Sequence, residues 1–67
     1  MQLIAGGPYE GVVTVDAGED PLMVRVTATW TRNGQARSTV ASVDAAAAKD
    51  LAEHWASRLA AGDEPLS

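Results

Sequence analysis

Residues 22-LMVRVTATWTRNGQARSTVAS-42 decide the fold of this chain. From Leu22 to Thr31 the side chains alternate without a break. Leu22, Val24, Val26, Ala28 and Trp30 fall on one side, and Met23, Arg25, Thr27, Thr29 and Thr31 on the other. A period of two, rich in β-branched residues, is the pattern of a strand with one buried face. Beyond Asn33-Gly34 a weaker alternation sets Ala36, Ser38 and Val40 against Arg37, Thr39 and Ala41. The stretch therefore reads as a β-hairpin.

The turn fixes the register, and the register must bring the two apolar rows to the same face. A two-residue Asn33-Gly34 loop pairs Arg32 with Gln35 and Thr27 with Val40, leaving Val40 on the threonine side. A three-residue loop, Arg32-Asn33-Gly34, pairs Thr31 with Gln35; Trp30 then faces Ala36, Ala28 faces Ser38 and Val26 faces Val40. The faces agree only in the second arrangement. A type I turn with Gly34 as a left-handed bulge is accordingly expected.

Working outward, 10-EGVVTVD-16 reads as a first strand and 17-AGEDP-21 as the turn that follows. Pro21 suits the start of a strand; Val13 and Val15 are expected to point inward with Tyr9 near them, Val12 and Thr14 being the competing choice. Residues 1–9 contain Gly6, Gly7 and Pro8 and read as irregular, with Leu3 and Ile4 forming at most a short edge strand. On the other side, 42-SVDAAAAKDLAEHWASRLAAG-62 is an alanine-rich helix that Asp44 or Ser42 caps and Gly62 ends. Ala48, Leu51, Ala52, Trp55 and Leu59 make its apolar stripe. The tail 63-DEPLS-67 is expected to fray.

The expected fold class is α+β: a three-stranded antiparallel sheet in β-β-β-α order, with one C-terminal helix packed on one face. Residues 1–67 form one small domain, the body spanning 10–62, with Trp30 and Trp55 at the centre of its core. The opposite sheet face, with no helix to cover it, is expected to carry Arg25, Thr27, Thr29, Thr31, Arg37 and Thr39. The β-β-β-α order recurs in double-stranded-RNA-binding-like domains. Their N-terminal helix and basic helix start are missing here, and shared topology transfers no function.

Composition narrows the function classes. The chain has 67 residues, no Cys, one His, no Phe and a formal charge of −4. Many of its apolar residues are alanine, and a core this small rarely supplies more than about 3–5 kcal/mol. With a disulfide ruled out and a metal nearly so, self-association or docking on a larger protein is expected. The negative charge argues against general nucleic-acid coating and against anionic lipid. Zero cysteines, no basic N-terminal region and no membrane-length apolar run point to the cytoplasm. The abundance of Ala, Val, Asp, Glu, Arg, Gly and Thr fits a GC-rich bacterial or bacteriophage genome.

Few constellations carry chemistry. Asp50, His54 and Ser57 share one helical face and are the parts of a nucleophilic triad. They fall on a solvent-facing flank with no oxyanion donor, so Asp50 and His54 read better as a surface pair. One His and scattered carboxylates meet no zinc ligand set, and 16-DAGED-20 lacks the calcium-loop pattern. No enzyme activity, metal, cofactor or small-molecule substrate is expected. What remains is the basic, threonine-rich hairpin. Arg25, Thr27, Thr29, Arg32, Arg37 and Thr39 are the candidate partner-binding residues. A protein partner, or a second copy, is the preferred reading of this non-catalytic interaction or regulatory module. The alternative is weak nucleic-acid binding, since three phosphate contacts give a salt slope of only about −3.

Overall fold

The long hairpin forms, and the short edge strand allowed at Leu3 and Ile4 becomes a fourth strand of the sheet. The computed structural model describes residues 2–65. They contain β1 (Gln2–Gly6), β2 (Gly11–Ala17), β3 (Met23–Arg32), β4 (Gln35–Asp44) and α1 (Ala45–Ala60). The strands make one antiparallel sheet in the order β1-β2-β3-β4, so the α+β class and the C-terminal helix stand. The sheet has four strands rather than three. Leu3 pairs with Val13 and Ile4 with Val12, and the register slips between Ile4 and Gly6. Five residues ending in Gly-Gly-Pro give a weak local signal, and pairing with β2 supplies the rest.

The hairpin register corrects the expected turn. Arg32 pairs with Gln35, Trp30 with Arg37, Thr27 with Val40 and Val26 with Ala41. Asn33 and Gly34 have φ of 52° and 78°, the pair of positive values that a two-residue type I′ turn requires. The physical reason lies at the far end of β4. The strand runs on to Asp44, and its half nearest the helix contributes Ala41 and Val43 to the core. Two residues packed against the core outweigh Val40, which the true register leaves 56% exposed.

The core is Val13, Val26, Ala28 and Trp30 from the sheet against Ala48, Ala52, Trp55 and Leu59 from the helix. Trp30 is 7% exposed and Trp55 2%; the Nε1–H of Trp30 is buried with no acceptor among the described residues. Val15 packs against the same cluster, so Val13 and Val15 of β2 point inward as expected, while Val12 faces the other way. Glycine lets the helix approach closely. A Cβ on Gly11 would sit 2.5 Å from Leu59 Cδ1, and one on Gly7 would sit 2.7 Å from the Ala60 carbonyl oxygen.

Both helix ends are closed. The Asp44 carboxylate accepts from the Ala47 backbone N–H at 2.9 Å, satisfying a first-turn donor. At the other end the Gly62 N–H donates to the Leu59 carbonyl and the Asp63 N–H to the Arg58 carbonyl. With Gly62 at φ 87° this is the Schellman stop. The chain then turns back: Arg58 Nε donates to the Glu64 carbonyl at 2.9 Å, and Pro65 is buried. The expected fraying is thus wrong for 63–65, where a glycine stop and an arginine hold the segment; Leu66 and Ser67 lie outside the described residues. Among the described residues no helix is long and apolar enough to cross a membrane.

Candidate functional site

The two-residue turn splits the six candidate residues into two groups. A shift of one residue moves every side chain of a strand to the opposite face. Arg25, Thr27 and Thr29 lie on the open face with Thr31, as expected. Arg37 and Thr39 stand opposite Trp30 and Ala28, and Arg32 opposite Gln35, so these three belong to the helix-covered side. The single Arg/Thr surface expected from the sequence does not exist.

On the covered side the arginines are engaged within the chain. Arg32 Nη1 donates to Glu64 Oε1 at 2.6 Å, and Arg37 Nη1 lies 3.7 Å from the same oxygen. The Arg32 guanidinium also sits 5.9 Å from the centroid of the Tyr9 ring, within cation–π range. The Tyr9 carbonyl in turn accepts from the Thr31 N–H at 3.0 Å. The hydrogen bond from Arg32 holds the Glu64 carboxyl below its ordinary pKa, partial desolvation opposes this, and the charges of Arg37 and Arg32 reinforce it. The same hydrogen bond raises Arg32 further. This cluster is a latch between the hairpin tip and the segment after α1.

The open face has a different character. Cross-strand pairing lines up Ile4, Val12, Thr29 and Ser38 in one row, and Gln2, Thr14, Thr27 and Val40 in the next. Ile4 is 79% exposed, and with Val12, Val40 and the threonine methyls it forms a flat, weakly polar surface. Asp16, Arg25 and Ser42 make the row beyond. Arg25 also shares a shallow depression with Glu19 and Asp20. The one arginine left on this face therefore has Asp16 as its cross-strand neighbour and Glu19 and Asp20 along the same depression. Asp20 has a structural task as well, its side chain accepting from the Leu22 N–H at 2.9 Å.

Asp50, His54 and Ser57 are exposed on the outer flank of α1, and no side-chain hydrogen bond joins them. Among the described residues no three His, Cys, Asp or Glu side chains converge as a metal site would need. The residues the sequence reading missed are Ile4, Val12 and Val40 on the open face and Glu64 in the latch. Val40 carried a signal, since an Asn-Gly turn favours the two-residue loop that turns this valine outward. The chain matches no known protein family, and it has no counterpart among curated proteins or solved structures.

Proposed function

We propose that this chain is a non-catalytic protein-binding module of the cytoplasm that uses the open face of its sheet. One observation carries the reading: a four-stranded sheet with a helix on one side only, whose other side exposes Ile4 and Val40 in register with Val12, Thr14, Thr27 and Thr29. A flat surface of aliphatic and threonine side chains gains by losing water, and it carries little charge to desolvate. The matching partner surface is another flat, weakly polar protein face. Arg25 at the margin adds an anchor for a polar rim. Nucleic acid draws less support, because phosphate binding needs several free cations on one surface. Here Arg25 stands among acids, and Arg32 and Arg37 are turned to Glu64 on the other side.

A photoreactive amino acid placed at Thr29 tests this against the same group at Glu53 on the outer helix flank, each in an extract of the native host. The expected result is a discrete protein adduct from Thr29, none from Glu53, and loss of the adduct in Ile4→Glu. Adducts to nucleic acid from Thr29, or protein adducts from Glu53 alone, would sink the reading.

A further inference from the structure

The two edges of the sheet are unlike. β1 has five residues, its register breaks between Ile4 and Gly6, and it runs into Gly7 and Pro8. Short length, a bulge and nearby Pro and Gly are devices by which proteins close an edge to further pairing. β4 has none of them. It pairs with β3 over ten consecutive residues without a bulge, and it contains no Pro and no Lys. The helix lies over β1, β2 and β3 and reaches β4 least. In a two-residue hairpin the closing pair, here Arg32 and Gln35, is hydrogen-bonded, and bonded and non-bonded pairs alternate from there. Ala36, Ser38, Val40 and Ser42 therefore aim their N–H and C=O groups away from β3, and all four are exposed.

The geometry points to β4 as a strand-addition edge whose occupant is β4 of a second copy, antiparallel about a two-fold axis at Val40. The strand's own sequence favours a copy of this chain, because it pairs with itself without charge conflict. The strand's only charged residues are Arg37 towards one end and Asp44 at the other. Antiparallel pairing brings the cationic end of each strand to the anionic end of its mate. With the axis at Val40, Arg37 stands opposite the second Val43, Thr39 opposite the second Ala41, and Ser38 opposite the second Ser42. No like charges meet and no two large side chains collide. Val40, more than half exposed in one copy, is covered by its own equivalent. The product is an eight-stranded sheet with both helices on one side. The inference concerns the edge and stands apart from the open-face reading, although it would join two open faces into one platform.

The test has two arms. Sedimentation over an about hundredfold concentration range should show a monomer–dimer equilibrium. Ser38→Pro should abolish it while leaving the far-UV spectrum intact, because the outward N–H it removes is not part of the β3 ladder. The chain has no cysteine, so single substitutions read the axis directly. Val40→Cys places two thiols on residues about 5.5 Å apart between Cα atoms, inside the range a disulfide spans. Under mild oxidation it should crosslink about tenfold faster than Thr39→Cys or Ala41→Cys, whose thiols are offset along the strands. If Ser38→Pro does not fold, the cysteine series decides alone. The control is Ile4→Glu on the open face, which should remain dimeric. A wild type that stays monomeric throughout, equal or absent crosslinking at the three positions, or a dimer lost in Ile4→Glu overturns the inference.

Discussion

The same four strands make two faces of opposite behaviour, and the contrast is not simply apolar against polar. Valine occurs on both: Val13 and Val26 are completely buried, whereas Val12 and Val40 look out from the open face. The covered face differs in contrast of size. Gly11, Ala28, Ala48 and Ala52 let the layers approach, and Trp30, Trp55 and Leu59 fill the space between them. The open face is made of medium, β-branched side chains of similar height, which favour a strand without requiring a cover. Stability should therefore reside on one face and recognition on the other.

The sharpest way to break that division is Trp55→Ala. Truncating a buried tryptophan costs about 3–5 kcal/mol, and a chain of this size has little more than about 3–5 kcal/mol in total. Circular dichroism at room temperature should show a mostly unfolded variant. A cooperative melt close to wild type would mean that the helix is not what holds the sheet.

Next comes the approach of the β1–β2 turn to the helix end. Gly7 has φ 71° and faces the Ala60 backbone, whereas Gly34 has φ 78° and open space around it. Gly34→Ala should cost about 1 kcal/mol for the backbone conformation alone. Gly7→Ala adds a clash with backbone that cannot swing aside, and overpacking of this kind costs about 1–3 kcal/mol more. Urea midpoints should rank wild type above Gly34→Ala and Gly34→Ala above Gly7→Ala. The reverse order of the two variants would show that the helix end does not rest on this turn.

Ile4→Ser sharpens the comparison from the other side. The side chain is exposed, and substitutions of that kind usually change stability by no more than about 0.5 kcal/mol. Its urea midpoint should match wild type while capture of the protein partner weakens. A large loss of stability would move Ile4 into the structural half of the molecule.

The smallest effect belongs to Glu64→Gln. Because the folded state holds the Glu64 carboxyl below its ordinary 4.5, the folded chain gives up that proton more readily than the unfolded one. The stabilisation is therefore present above the ordinary value and is lost as pH falls through the depressed one. The Tm difference between wild type and Glu64→Gln should be small and positive near neutrality and close on acidification through that window. A difference that does not change with pH would show that the carboxylate charge does not contribute.

The strongest patterns were legible in sequence. The ten-residue alternation of β3, the alanine-rich helix, its Asp44 cap and the Ala48–Leu59 stripe are all local, and all are where the residues indicated. The register of β4 was not, because two turns one residue apart differ in which face Val40 takes. The deciding contacts, those of Ala41 and Val43 with the core, depend on packing that the turn itself does not show. β1 was faint because its pairing is non-local. The candidate surface failed for a related reason. One slipped residue carried Arg37 and Thr39 to the other side, and nothing near Glu64 in sequence announces a partner more than thirty positions away.

Strand β4 passes into α1 with no loop between them, Asp44 serving as last strand residue and helix cap at once. This makes the junction intolerant of any change in length. One residue inserted there would turn the helix by about 100°, carrying Trp55 and Leu59 off the sheet. By contrast, the turn at 18–22 is exposed at nearly every position and packs against no part of the helix-covered core. Descendants of this chain can diverge in size at that turn, and a tag or a graft belongs there. An insertion or deletion at that junction would displace the Trp55 half of the core against the Trp30 half.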